Sequence, residues 1–226
     1  MANRQQNTIS VVPPPVYGLN TKNDPYAITK YESPNMDNIE IDSRTPLSRL
    51  GAVRFGQTAA AGPIMSAFDY VKSDGTAISL RVRQSSIEKY NSSTQEWEAL
   101  SLPITLTSGL KMGFAVLNDL CIMSNGTDSV LQYNGTAVTE LASHPKMNYL
   151  IVYQNRIVGM KRSTSRLYYS GINDPTTFGA SDFIYVDPNN SVFGAGIAEL
   201  NGQIIPFKEN KPYVLTALVG GTLYPL

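Results

Sequence analysis

The residues that could do chemistry are few and scattered along the chain. His144, the single histidine, stands in Ala142-Ser143-His144-Pro145, a turn ahead of a strand. No Gly-x-Ser-x-Gly elbow exists to give it a nucleophile. One histidine and one cysteine cannot furnish the four nitrogen or sulfur ligands of a structural zinc site. Cys121 lies in the apolar run Leu120-Cys121-Ile122-Met123, where a small thiol packs as a core residue. Asp187, Asn189 and Asn190 could hold a weak cation, but they lack the bidentate glutamate of a calcium loop and read as a solvated turn. A sugar-cleaving site needs two carboxylates across a pocket and an aromatic platform. Asp69, Asp74, Asp119, Asp182 and Glu199 could supply carboxyls and Trp97 the platform, yet no spacing singles out a pair. Phosphate-cradling glycine loops ahead of a helix are also missing. The sequence therefore reads as non-enzymatic, with no catalytic, cofactor-binding or metal-binding residues and no cofactor.

The elements around these residues are short strands. Ala77-Ile-Ser-Leu-Arg-Val-Arg83 alternates apolar and polar side chains, the mark of a half-buried strand. Leu120–Met123 reads as a buried strand, and Val130–Tyr133 and Val138–Leu141 follow. Asn125-Gly126 and Asn134-Gly135 predict two-residue hairpin turns, because both residue types tolerate positive φ. A strand-turn-strand unit recurs four times: Ala77–Asn91, Leu120–Asn134, Arg156–Ser170 and Gln203–Thr216. A repeat of roughly 40 residues built of antiparallel strands is the signature of propeller blades. The predicted fold is all-β, of β-propeller type, as a small closed ring or an incomplete one, over residues 59–226; a β-sandwich is the competing architecture.

Residues 1–58 differ. Pro13, Pro14, Pro15, Pro25, Pro34 and Pro46 interrupt every regular period, which predicts an extended arm. Val16, Tyr17, Leu19, Tyr26, Ile28, Tyr31, Ile39, Ile41 and Leu47 are apolar anchors along it. The 18 basic residues equal the 18 acidic ones, so no electrostatic footprint for nucleic acid or an anionic membrane exists. Low charge with many tyrosines suits large permanent contacts. No apolar run is long enough for a membrane span, and the polar N-terminus lacks a secretory pattern, which predicts synthesis in a cytoplasm.

Two stretches carry a resemblance. Tyr17-Gly-Leu-Asn-Thr-Lys-Asn-Asp-Pro25 is followed by Asn38 and Arg49-Leu-Gly-Ala-Val-Arg-Phe55. Later come Asn155-Arg-Ile-Val158, Arg166-Leu-Tyr-Tyr-Ser-Gly-Ile-Asn-Asp-Pro-Thr-Thr-Phe178, Asp182-Phe-Ile-Tyr-Val186 and Gly202-Gln-Ile-Ile-Pro-Phe-Lys-Glu-Asn-Lys-Pro-Tyr-Val214. This succession resembles the tail hub or nozzle structural proteins of tailed bacteriophages. The resemblance implies a virion protein that forms a homo-oligomeric ring, sixfold in that family, around the DNA exit channel. It implies portal or adaptor and tail fibre or spike proteins as neighbours, and DNA that passes without sequence-specific binding. Beside it stands a non-catalytic receptor- or glycan-binding propeller. Phe178 and Phe183 are expected core anchors, and Lys208 and Glu209 sit where a strand reaches its hairpin, as open to a special role as to a surface ion pair.

Overall fold

The structure is a computed structural model that describes residues 15–36, 39–42, 45–48, 55–56, 61–189, 191–218 and 223–225. Pro13, Pro14, Asn38, Arg49–Arg54 and Asn190 lie outside the described residues. The chain divides into two compact units, Met1–Arg54 and Phe55–Leu226. In the first, β1 (Gly18–Leu19) pairs in parallel with β2 (Glu32–Ser33), and β3 (Ile39–Asp42) forms a hairpin with β4 (Thr45–Ser48). Tyr17 meets Tyr31 edge-on at 5.5 Å. The predicted anchors divide here: Val16, Ile28, Tyr31 and Ile41 are half-buried, whereas Tyr17, Leu19, Ile39 and Leu47 are exposed and Tyr26 is fully so.

The second unit is a succession of four antiparallel sheets, each strand pairing with the next in sequence. Blade 1 holds β5 (Ile64–Val71), β6 (Ala77–Arg83), β7 (Ser86–Asn91) and β8 (Glu96–Ala99). Blade 2 holds β9 (Gly113–Leu117), β10 (Leu120–Ser124), β11 (Val130–Tyr133) and β12 (Val138–Leu141). Blade 3 is β13 (Tyr149–Tyr153), β14 (Arg156–Met160), β15 (Arg166–Tyr169) and β16 (Phe183–Tyr185). Blade 4 is β17 (Gly194–Leu200), β18 (Gln203–Lys208), β19 (Tyr213–Leu215) and β20 (Leu223–Pro225). The four repeats read from sequence are thus the second and third strands of the four blades. Every named element among the described residues is a strand, and no helix is long and apolar enough to cross a membrane.

Turn chemistry explains the hairpins. Blades 2, 3 and 4 each open on a two-residue turn with both φ values positive: Asn118-Asp119 at 50° and 58°, Gln154-Asn155 at 48° and 54°, Asn201-Gly202 at 51° and 75°. That conformation matches the twist of the flanking strands and favours Asn, Asp and Gly. Asn125-Gly126 and Asn134-Gly135 behave differently from the sequence expectation. Only the glycines have positive φ. Asn125 Oδ1 accepts from the Thr127 and Asp128 amides at 2.9 and 2.8 Å, and Asn134 Oδ1 accepts from Thr136 and Ala137, both at 2.9 Å. The asparagine side chain mimics a backbone carbonyl and organises a wider turn.

The core sits between blades rather than inside one. Tyr70, Leu80, Val82 and Ile87 of blade 1 pack on Cys121, Met123, Leu131 and Tyr133 of blade 2. Ala115, Leu117, Ile122 and Val130 of blade 2 meet Ile157 of blade 3, with Leu150, Val152 and Phe178 packed against them. Val158, Met160, Leu167 and Tyr153 of blade 3 meet Ile204, Tyr213 and Leu215 of blade 4. Strand alternation sends Cys121 and Met123 back to blade 1 while Ile122 faces blade 3. Cys121 is fully buried, and burial pushes its thiol up to about 12. Two tyrosines latch successive blades: Tyr70 donates its hydroxyl to the Asp119 carbonyl at 2.5 Å, and Tyr153 donates to the Gly202 carbonyl at 2.7 Å. Each acceptor lies in the first hairpin turn of the following blade. The first strands adjoin in the series β5, β9, β13, β17, whereas β17 and β5 do not come together in the same way among the described residues.

Candidate functional site

Among the described residues no four-stranded sheet precedes blade 1, and a cleft of about 560 Å³ opens on its outer face. Alternation along β5 and β6 places Phe68, Tyr70, Leu80 and Val82 on the blade 2 side, which leaves Ala67, Asp69, Ser79 and Arg81 to line the outer face. Trp97 on β8, together with Phe55 and Ile64, completes the wall. Asp69 Oδ1 accepts from the Ser79 hydroxyl at 2.7 Å.

Beneath the wall lies an ion-pair network. Glu88 is only 3% exposed. Its Oε2 accepts from Arg81 Nε at 2.6 Å, and its Oε1 accepts from Arg83 Nε at 2.8 Å and Arg83 Nη2 at 2.5 Å. Burial pushes the Glu88 carboxyl up, but the hydrogen bonds and charges of Arg83 and Arg81 outweigh it and leave the group below its ordinary value. The Arg81 guanidinium stacks over Trp97, 4.3 Å from the ring centroid. Phe55 stacks on Tyr90 at 4.2 Å, meets Trp97 edge-on at 5.7 Å, and accepts from the indole N–H through its carbonyl at 3.2 Å. Gly56 has φ +97°, and a Cβ there would stand 2.8 Å from the indole Cδ1. The Phe55-Gly56 turn can close on the tryptophan only because that position is glycine. Trp97 is therefore largely committed to holding the cleft together. The exposed ring at the site is Phe55, at 60%.

At the other end of the series, the outer face of blade 4 is apolar. Register places Leu200, Ala198, Ile205 and Phe207 on one side of β17 and β18, away from the Ile197 and Ile204 side that packs on blade 3. Leu200 is 61% exposed and Phe207 37%.

The other residues singled out in sequence lie elsewhere and apart. Of the five carboxylates only Asp69 reaches the cleft. Asp119 accepts from the Ser73 amide and hydroxyl, both at 2.6 Å, Asp182 accepts from the Gly179 amide, and Asp74 holds its own turn through the Thr76 amide. Glu199 is exposed on β17. Asp187 accepts from the Tyr213 hydroxyl at 2.5 Å and lies 3.6 Å from Lys211 Nζ, and the Tyr213 bond leads in holding its carboxyl below the usual range. Its oxygen is thus engaged by protein donors, and among the described residues no three of His, Cys, Asp and Glu gather as a metal site. Of the two readings left open for Lys208 and Glu209, a surface pair with each other is not what forms. Lys208 is buried, donating to Ser165 Oγ at 2.9 Å and the Asp187 carbonyl at 2.7 Å, and so ties blade 4 to blade 3. Glu209 pairs instead with Arg162 at 3.0 Å. Phe178 packs between blades 2 and 3, and half-buried Phe183 meets Arg166 and Tyr185.

His144 is a packing residue at the blade 2–blade 3 junction. Its ring meets Phe178 edge-on at 5.3 Å, and both ring nitrogens are buried without a bonded partner. Burial lowers its pKa, while Asp174 and the nearby backbone of Thr176 and Leu141 pull weakly the other way. A histidine whose folded pKa is depressed takes up its proton in the unfolded chain first, so stability falls as pH drops below about 6.5 and is level above it. Urea unfolding from about pH 8 to about pH 5.5 should show this slope, and His144→Phe should flatten it. Because the chain has no other histidine, an unchanged slope in that variant would contradict the assignment.

The missed residues were Phe55, Arg81 and Glu88. The signal for the pair was present: Arg81 and Glu88 are cross-strand partners on β6 and β7.

No family model matches the chain, and no curated protein matches it. Solved structures do. The protein described as the structure of U3-55K superposes with TM-score 0.53 and 9% identity, over 74% of this chain and 53% of that one. The computationally designed Ika4 protein superposes with TM-score 0.50 and 11% identity, over 78% of this chain and 98% of that one. The RRP9 WD40 repeats give TM-score 0.50 and 10% identity, over 75% and 52%. The chain thus spans about half the length of two of these structures. At such identities the likeness is one of fold, and WD40 repeats are propellers of four-stranded blades. With four meander sheets packed face to face in sequence order, the chain is an all-β protein of β-propeller type.

Proposed function

We propose that this chain is a non-catalytic structural subunit of a tailed-phage virion, of the tail hub or nozzle type. In this reading its blades assemble head to tail with other copies around the DNA exit channel and offer docking surface to portal, adaptor, fibre or spike proteins. One observation carries the assembly part: apolar surface lies open at both ends of the blade series, around Phe55 and Ile64 at one end and Leu200 and Phe207 at the other. Interfaces that recruit one face of a subunit to a different face of the next build rings. The exposed Tyr17, Leu19 and Tyr26 suit an arm that reaches a neighbour, and zero net charge suits a conduit that lets a polyanion slide. The virion part rests on the resemblance of the Tyr17–Phe55 and Asn155–Val214 stretches. An antibody to the chain, used with gold labelling in electron microscopy of purified phage particles, should mark the tail end. Label confined to the cell and absent from the particles would contradict the virion reading.

A second reading has one observation in its favour. The blade 1 cleft brings Asp69, Ser79 and Trp97 together, the kinds of group that recognise a sugar. Glycan-array binding abolished by Asp69→Ala would move the assignment there. No binding on the array would leave the cleft to a protein partner.

A further inference from the structure

The blades form a series in which each forward face repeats the one before. The last residue of the first strand, just ahead of the two-residue turn, is Leu117 in blade 2, Tyr153 in blade 3 and Leu200 in blade 4. Leu117 is 8% exposed and Tyr153 3%, each covered by the following blade, whereas Leu200 in the same place is 61% exposed. The residues beside them on the second strand, Ile122, Val158 and Ile205, form the same series, and Ile205 is itself only 6% exposed, so the open part of the blade 4 face is the apolar rim around it. The sequence of β18 agrees: Ile204-Ile205-Pro206-Phe207 is apolar on both faces, like Leu120-Cys-Ile-Met123 and Ile157-Val158, which lie between two blades. By contrast β6 alternates, with Ser79, Arg81 and Arg83 on its outer side, as suits a blade with one neighbour. Blade 4 therefore presents a forward face of the interior kind whose rim, Leu200 and Phe207, lies exposed.

We infer that a second copy of this chain covers it, with the forward face of blade 4 docking into the outer cleft of the partner copy's blade 1. This rests on the assembly reading above and names its contact. Three observations choose this occupant. Every established junction in the chain joins a forward face to a backward face, and among the described residues blade 1 carries the one backward face left open. That face has a cleft of about 560 Å³ walled by Phe55, Ile64, Ala67 and Trp97, a receptacle for Leu200 and Phe207. A protruding apolar patch and a pocket elsewhere on the same molecule make a heterologous, head-to-tail contact. Finally, four blades span 53% and 52% of the U3-55K and RRP9 WD40 chains, so two copies supply about the number of blades in one such propeller.

The test uses full-length chains carrying two different affinity tags, co-expressed, with recovery of the second tag on the first as the readout. The forward-face variant is Leu200→Asp with Phe207→Ser, and the cleft variant is Ala67→Arg; Leu200, Phe207 and Ala67 are all exposed, and thermal unfolding checks that each variant folds. Wild-type copies should recover each other. Recovery should fall about tenfold or more when both copies carry either variant. It should return in part when a forward-face variant is mixed with a cleft variant, since one sound junction survives. Leu200→Met should retain recovery. Wild-type association that neither variant weakens would overturn this junction while leaving the assembly reading intact. Loss with the forward-face variant alone would also overturn it, in favour of a symmetric blade 4–blade 4 contact. No recovery between wild-type copies would overturn both the junction and self-assembly.

Discussion

Replacing Glu88 by glutamine should destabilise the blade unit by about 3–5 kcal/mol, the cost of leaving buried charge without its partner. The carboxylate is the single anion shared by Arg81 and Arg83, whose side chains are 11% and 24% exposed. Glutamine keeps the size of the side chain but carries no charge and turns one oxygen into a donor that faces a guanidinium. The effect is therefore larger than that of removing a surface ion pair such as Arg162–Glu209, which contributes at most about 1 kcal/mol. The pH dependence has a definite sign. The folded pKa of Glu88 is lowered from 4.5, so its contribution is fully present above that value and is lost as pH falls through the lower folded one. The glutamine variant should lack that acid limb. Trp97 is the single tryptophan and stacks on Arg81, so its fluorescence in urea reports the change directly. A shift of less than about 1 kcal/mol, the size of an ordinary surface substitution or smaller, would contradict the buried network.

Tyr70→Ala should cost a similar amount, about 3–5 kcal/mol, for a different reason. The ring is fully buried between blades 1 and 2, edge-on to Tyr133 at 5.7 Å, and its removal leaves a cavity that the flanking strands cannot close. Tyr70→Phe separates the latch from the packing. It keeps the ring and gives up the bond to the Asp119 carbonyl, for about 1 kcal/mol or somewhat more because a buried acceptor is then unsatisfied. The same change at Tyr153, whose hydroxyl reaches the Gly202 carbonyl, should give a matching loss. Chemical denaturation of the three variants measures both steps. If Tyr70→Phe costs as much as Tyr70→Ala, the ring is not what fills the junction. Burial, followed by the Cys121 and Asp119 charges, pushes the Tyr70 phenol up to about 12, so no titration of this latch is expected at ordinary pH.

The blade strands were legible because their neighbours leave a mark on the pattern. Between two blades a strand is buried on both faces, and Leu120–Met123 reads as a continuous apolar run; at the start of the series one face is open, and Ala77–Arg83 alternates. The repeat was legible for the same reason, since it follows the second and third strands, where the inter-blade core is densest. The turns were legible as places and not as conformations. Asn125 and Asn134 fold the chain with their side chains, a local hydrogen-bond choice that a dipeptide does not declare. The candidate cleft was only half legible. Asp69 and Trp97 were singled out separately, but their meeting depends on the β5–β6–β7–β8 order and on Phe55 closing over the sheet through Gly56. The place of Lys208 was left open in sequence because a lysine beside a glutamate suits a surface pair, whereas strand alternation turns Lys208 inward to Ser165 and Asp187.

Central to this account is the proposal that copies of this chain join through the apolar surface exposed on blade 1 and blade 4. Light scattering of the purified full-length chain at two concentrations tests it most directly. The account expects a mass above the 24.7 kDa of one chain, rising with concentration toward a multiple of it. A mass of one chain at both concentrations would contradict it.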